Sequence, residues 1–426
     1  MVKVIPFRGL LYDKKKAGAD LSKVCAPPYD VISEDMRREL HDKNAYNIIR
    51  VILGYSNPGD TSDDNVYTRA GKTFGGWVDN GILARDGQPA FYVYQQKYKL
   101  NGKTLSRIGF IGRMKIEDFG KNKVLPHEHT LSSPKTDRMN LIKQVGANLS
   151  PIFGLFSDYK GNISAILKKA AAKKPAIDIV INGERHKLWR IDDEKQTGKI
   201  SELMKDKRIF IADGHHRYEV AKSYRDVASA EKKHNGNADY IMMYFADMDG
   251  ANKLSVLATH RVIKNMPMLS DDDVVSKVKG VFKAVECKNW KELASKMAKK
   301  TKKHVFGFWG GKKYIFLELK DEKKALEMIE ENKSVDWKKL DVSILHYLLF
   351  KKLLDVRAEE GNITYVKNPE EAISLVNKGS HACAFFLNPT KVQELTAVAE
   401  SGDMMPQKST YFYPKLLTGL VMNKFD

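Results

Sequence analysis

The sequence predicts a mixed α/β fold, and three local patterns carry that expectation. Two pairs of apolar runs are joined by Asn-Gly, at Asn101–Gly102 and Asn182–Gly183, the dipeptide that supplies both positive-φ positions of a tight hairpin turn. A β-branched run, RIFIA at 208–212, passes through Asp213–Gly214 straight into a helical pattern. Strand-like and helix-like stretches then alternate down the chain, so sheet and helix must share a core.

In chain order, residues 45–54 (AYNIIRVILG) read as a buried strand closed by a glycine turn. Residues 63–80 have helical spacing, with Val66, Ala70, Phe74 and Trp77 on one side. Residues 90–100 and 103–115 form the arms of the first hairpin, and 176–190 the second. Between them, 119–160 is rich in polar and turn residues, with one helix marked by Leu141, Ile142 and Val145. An irregular stretch of that length inside a compact protein usually carries function or moves. A strand at 207–212 and a helix at 213–233 follow, then strands at 239–248 and 254–262. From about 270 the chain turns helix-rich and lysine-rich, with a hairpin at 304–319, helices at 341–354 and 390–400, and strands at 363–366 and 382–387. The expected division is an α/β domain over 1–268 and a helix-rich α/β region over 269–426 packed on it.

Composition narrows the function. At 426 residues and 42% hydrophobic, the chain can bury a large core without a disulfide or zinc staple. Cys25, Cys287 and Cys383 are far apart and form no CxxC pair, which fits reduced thiols in a cytoplasmic protein. No run approaches the ~18 apolar residues of a membrane span, and MVKVIPFRGLLYDKKK lacks the apolar stretch of a secretory signal, so no membrane partner is expected. The net charge of +19 invites a nucleic-acid reading. However, the excess is dispersed lysine, as at Lys14–Lys16 and Lys299–Lys303, with little arginine set among aromatics and no zinc-finger spacing. Solvated helix faces account for it better than a nucleic-acid groove.

The sharpest local feature is RIFIADGHHRYEVAKSYRD, 208–226. A strand that ends at Asp213 and turns at Gly214 into a helix presents free backbone N–H groups and the positive helix end, an arrangement suited to phosphate. Gly214 permits close backbone approach, and Arg217 is placed to grip phosphate oxygens. His215 and His216 add chemistry that an ordinary aspartate N-cap would not need. Adjacent histidines on a helix point about 100° apart, which disfavours joint ligation of one metal ion.

Three other clusters are polar enough to serve a site. VLPHEHTLSSPKTDR gathers His127, Glu128, His129, Thr130, Lys135, Asp137 and Arg138; it is not HExxH, but a carboxylate beside cations suits general-base work on a hydroxyl near a bound phosphate. Asn148 and Ser150 in ANLSPIFGL are either ligand contacts or the stop of a helix before Pro151. In KVCAPPYDVIS, Ser33 reads as an N-cap, leaving Asp30 as either a structural or a ligand-binding residue. Near the other end, MPQKSTYFYPK sets Lys408, Ser409, Thr410 and Lys415 among aromatics that either close over a ligand or fill a core.

Taken in order, APPYDVIS, VLPHEHTLSSPKTDR, NLSPIFGL, IADGHHRYEVA, MMYFADM and MPQKSTYFYPK resemble the family known as the domain of unknown function numbered ten-fifteen, over nearly the whole chain. The box DGHHRYEVA is also similar to that of free serine kinases of the ParB/sulfiredoxin-like fold. That second resemblance implies a ParB/sulfiredoxin-like nucleotide-binding core with additional α/β elements. It implies a kinase that moves phosphate from ATP or ADP, with Mg²⁺, to the hydroxyl of free L-serine. By it, Gly214, His215, His216 and Arg217 would hold nucleotide phosphates and Asp213 would hold Mg²⁺. Glu128 would be the base on the serine hydroxyl, with Asp213 as the alternative. Lys135, Arg138 or Lys408 would hold the substrate carboxylate, with His127, Thr130, Asn148, Ser150 and Asp30 nearby. The rival readings are a ParB-like nucleotide-binding regulator in weak contact with nucleic acid, and a phosphatase or other hydrolase using the histidine pair.

Overall fold

The computed structural model describes residues 1–120, 123–128, 130, 132–230, 236–250, 254–266, 270–357, 359 and 361–425. The chain forms two compact units: Met1–Pro126, Thr130–Leu254 and Pro414–Asp426 make the first, and His127–His129 with Ser255–Tyr413 make the second. The division therefore falls earlier than the 268/269 boundary expected from sequence, and each unit borrows a short piece from the other's stretch of chain.

Among the described residues, the main sheet of the first unit has nine strands: β1 (Val4–Ile5), β2 (Phe91–Leu100), β3 (Lys103–Lys115), β4 (Val124–Leu125), β5 (Ile152–Phe156), β6 (Ile177–Ile181), β7 (Glu184–Ile191), β8 (Ile209–Asp213) and β9 (Tyr240–Asp247). They hydrogen-bond in the order β4-β8-β5-β9-β3-β2-β7-β6, with β1 added on β3. β4–β8 and β5–β9 are parallel and the other pairs antiparallel, so the sheet is mixed. Both expected hairpins form. Asn101 and Gly102 take φ of 49° and 73°, and Asn182 and Gly183 take 51° and 77°.

Helices accompany this sheet, among them α1 (Val66–Asp79), α2 (Ser132–Val145), α3 (Asn162–Ala171), α4 (Glu194–Met204) and α5 (His215–Ala230), and a further helix spans Glu34–Lys43. Ile163 and Leu167 of α3, Ile200 and Met204 of α4, and Tyr218 and Ala221 of α5 pack on Phe91, Val93, Phe110, Ile152, Ile209 and Phe245 in one apolar core. Helix α1 is fixed by Asn65, whose side chain accepts from the N–H groups of Tyr67 and Thr68 in a capping box. None of the helices is long and apolar enough to cross a membrane, among the described residues.

One expected strand is a helix. Ile49–Ile52 is a single helical turn, led by Asn47, whose side chain accepts from Ile49 N at 2.9 Å and donates to Lys23 O at 2.8 Å. Ile48, Ile49, Val51 and Ile52 are all buried, and a short run buried on every side looks the same in either conformation.

Among its described residues the second unit carries helices at Asp271–Val278, Trp290–Lys299, Ile344–Leu354, Pro369–Asn377 and Val392–Glu400. Its centre is a six-stranded sheet, β10 (His260–Ile263), β11 (Phe282–Cys287), β12 (Val305–Trp309), β13 (Tyr314–Leu319), β14 (Ile363–Val366) and β15 (Cys383–Leu387), paired in the order β11-β13-β12-β15-β10-β14. All these pairs are antiparallel. β11 escaped the sequence reading because Lys283 and Glu286 interrupt its apolar alternation.

Candidate functional site

The DGHHR box sits where a strand ends against a helix start. β8 runs between β4 and β5, and its pairing with β5 shifts register between Ile211 and Asp213. Gly214 follows at φ 95°, a left-handed conformation that L side chains rarely adopt, and α5 begins at His215. A Cβ at 214 would lie 2.9 Å from the Arg217 guanidinium. Glycine is thus required twice, for the turn and for the arginine folded over it.

Asp213 is clamped by two cations. Lys415 Nζ donates to one carboxylate oxygen at 2.5 Å, and Arg217 Nη2 donates to the other at 3.2 Å. Arg217 Nη1 also donates to Ser150 Oγ and Pro151 O, both at 2.8 Å. Burial works to raise the Asp213 carboxyl, but the Lys415 and Arg217 charges, with a lesser one from His215, outweigh it and hold it at about 2. Burial holds the His215 imidazole down at about 3, against the pull of Asp213, so it is neutral at pH 7. The adjacent histidines therefore do not form a doubly charged pair.

Beside this clamp lies an open cleft. Its walls are aliphatic, from Ile52, Leu141, Ile142, Leu149, Val220 and Ile241. Its polar edge comes from four of the sequence boxes: Tyr29 of APPYD, Arg138 of SSPKTDR, Asn148 and Ser150 of NLSP, and Arg217 of DGHHR, with Thr418 beside them. Arg138 stacks over the Tyr29 ring at 4.1 Å, donates from Nη1 to Ile52 O at 3.0 Å, and pairs with Asp137.

The remaining expected residues are placed as follows. Thr130 Oγ1 and Lys135 Nζ both donate to Glu219 Oε2 of α5, at 2.6 and 3.0 Å. Asn148 is buried, and its side-chain oxygen accepts from Met242 N and Asn423 Nδ2, both at 3.1 Å, which is a structural engagement. Asp30 is exposed in a short turn, and Ser33 caps the next helix as expected, accepting from Met36 N at 3.3 Å. His127, Glu128 and Lys408 belong to the second unit. There His127 Nε2 lies 3.0 Å from Thr410 Oγ1, and a Glu128 carboxylate oxygen accepts from Lys408 N at 3.1 Å. Lys408 is exposed at φ 55°, and its carbonyl accepts from Arg261 Nη2 at 3.2 Å. His129 lies outside the described residues.

Two residues had no strong sequence signal. Lys415 was one cation among several near aromatics, 202 positions from the aspartate it meets. Glu219 reads as an ordinary charge on a helix. Mg²⁺ does not fit at Asp213 as the side chains stand, because both carboxylate oxygens are engaged by cations. No group of three or more His, Cys, Asp or Glu side chains able to hold a metal occurs among the described residues.

Some solved structures are similar to this chain at low identity. A free serine kinase in complex with AMP gives a TM-score of 0.32 at 16% identity, over 68% of this chain and 83% of that one. SbnI with a C-terminal truncation, from Staphylococcus aureus, gives 0.34 at 11%, over 70% and 82%. A conserved hypothetical protein from Pyrococcus furiosus gives 0.33 at 13%, over 69% and 89%. No curated protein matches the chain. The boxes that meet around Arg217 are four of the six on which the sequence resemblance rested, and the model of the family described as "Protein of unknown function (DUF1015)" matches residues 4–343: the chain belongs to that family.

Proposed function

We propose that the protein is a small-molecule kinase that transfers phosphate from ATP or ADP to the hydroxyl of free L-serine, giving O-phosphoserine. The observation that carries this reading is the meeting of APPYD, SSPKTDR, NLSP and DGHHR residues along one cleft whose polar end is Arg217. An apolar wall ending in fixed cations suits a ligand with an apolar body and an anionic end, as a nucleotide has.

In this reading the backbone N–H groups that open α5, with Arg217 and the neutral His215, receive the phosphates. Phosphoryl transfer depends mainly on positioning and on neutralising charge, and Lys415 and Arg217 are the cations available for it. Both already bear on Asp213, so phosphate binding would draw them away from that carboxylate. Of the cations proposed for the serine carboxylate, Arg138 is favoured over Lys135 because it lines the cleft. Glu128 remains the proposed base and Asp213 its alternative; substitution separates them without any assumption about geometry.

The test is nucleotide consumption by purified protein against a panel of hydroxy amino acids, with phosphoserine detected directly. Turnover should require serine and fall at least about 100-fold in the variant of the true base, Glu128→Gln or Asp213→Asn. Absence of serine-dependent turnover with both ATP and ADP would sink the proposal. Phosphate release with no acceptor present would point to hydrolysis in its place.

A further inference from the structure

Residues 414 and 415 are held by two side chains from the middle of the first unit's sheet. Arg107 of β3 is fully buried, with its guanidinium 4.6 Å from the centre of the Phe153 ring. It donates to Pro414 O at 2.6 Å and also to Gln96 Oε1. Gln96 of β2, equally buried, donates from Nε2 to Lys415 O at 2.9 Å. The two carbonyls on either side of the Lys415 Cα are thus pinned by one linked pair, and the Lys415 side chain runs from that pinned backbone to Asp213. A buried arginine directed at peptide carbonyls is costly to keep, since its charge has left water. A packing role would be served by an apolar side chain.

We infer that Arg107 and Gln96 are positioning residues, which act through the backbone at 414–415 to set the Lys415 ammonium against Asp213. The inference builds on the reading of the Asp213 clamp as a phosphate-binding site. The charged and titratable groups facing Asp213 are Lys415 from the 414–425 segment and Arg217 and His215 from α5, with His216 beside His215.

The test follows the Asp213 carboxyl by NMR in full-length protein labelled with carboxyl-¹³C aspartate, its signal assigned with Asp213→Asn. In the unsubstituted protein the signal should stay that of a carboxylate down to pH 4. Lys415→Met should bring its titration up to about pH 4, a rise in proton affinity of about 100-fold. Gln96→Met and Arg107→Lys should move it in the same direction, each by at least about threefold. A core change elsewhere, Ile200→Ala, should leave it in place, which separates positioning from general loosening. The inference is overturned if Lys415→Met shifts the signal while Gln96→Met leaves it unmoved, or if Lys415→Met itself has no effect. Gln96→Met decides alone if Arg107→Lys does not fold. No nucleotide is used, so failure here is independent of the outcome of the kinase assay.

Discussion

Removing the Lys415 ammonium should cost the protein measurable stability, and the amount follows from the burial of the pair. The Lys415 and Asp213 side chains keep 11% and 21% of their exposure, so the pair is neither solvated nor in a dry interior. Deleting one member of a buried pair typically costs ~3–5 kcal/mol, because a charge is left stranded. Here Arg217 still reaches Asp213 at 3.2 Å, which offsets part of the loss. The expected cost of Lys415→Met is therefore about 2 kcal/mol. Asp213→Asn should cost a similar amount, and the double variant should fall short of the sum by about 1–2 kcal/mol, the coupling expected of contacting residues. The pH sign is fixed by the depressed carboxyl: its stabilisation is complete above the unfolded value near 3.9 and is lost as pH falls toward about 2. The deficit of Lys415→Met should thus be constant from pH 5 to pH 9 and shrink below pH 4. Urea unfolding is the assay; the first unit reports through Trp77 and Trp189. Additivity of the two single variants within about 0.3 kcal/mol would refute the reasoning, since the contact would then carry no energy of its own.

Other substitutions probe different features. Gly214→Ala should destabilise by about 1–3 kcal/mol through its left-handed φ of 95°, and should displace Arg217 from Ser150; a crystal structure of the variant with that contact intact would argue against it. Gly109→Ala, in the central strand β3, would drive a methyl into the Phe245 carbonyl and to 2.6 Å from the Tyr244 ring, and should cost about 3 kcal/mol in urea unfolding. In the second unit, His304 holds Asp341 at 2.7 Å and Glu322 at 3.2 Å; burial lowers its pKa, but the two carboxylates outweigh that and leave it raised. Its stabilisation is complete below the unfolded value near 6.5 and disappears as pH rises through the higher folded value, so His304→Gln should lose about 1 kcal/mol at pH 6 and less at pH 9. A loss independent of pH would show that the imidazole acts by shape alone.

What could be read from the sequence was what the backbone decides locally. Both Asn-Gly hairpins are legible because the turn needs two positive-φ residues and the chain supplies them at 101–102 and 182–183. The DGHHR strand-to-helix turn is legible for the same reason, through Gly214. Ile49–Ile52 was misread because nothing in so short a run, three apolar residues around Arg50, states which way it coils. In the second unit most strands could be read but their pairing could not, because the sheet joins distant segments: β10 lies between β14 and β15, about a hundred residues later in the chain. In the site, the boxes could be found but their partners could not. Lys415 acquires its role only by meeting Asp213, and Glu219 only by receiving Thr130 and Lys135. Tertiary pairing of this kind leaves no periodicity in the sequence.

The return of residues 414–425 to the first unit has a consequence for how the chain is made. Gln96 waits for a carbonyl 319 positions downstream, and Arg107 for one 307 positions downstream. Translation at about 5–20 residues per second separates the end of β9 from Pro414 by roughly 10–30 s. During that interval the nascent sheet holds a buried guanidinium and a buried amide without the backbone that later receives them, and Asp213 without its lysine. The first unit is therefore synthesised as an open clasp. Protection against proteolysis on stalled ribosomes should rise sharply only once residue 415 has cleared the exit tunnel, long after the last strand of the sheet has emerged.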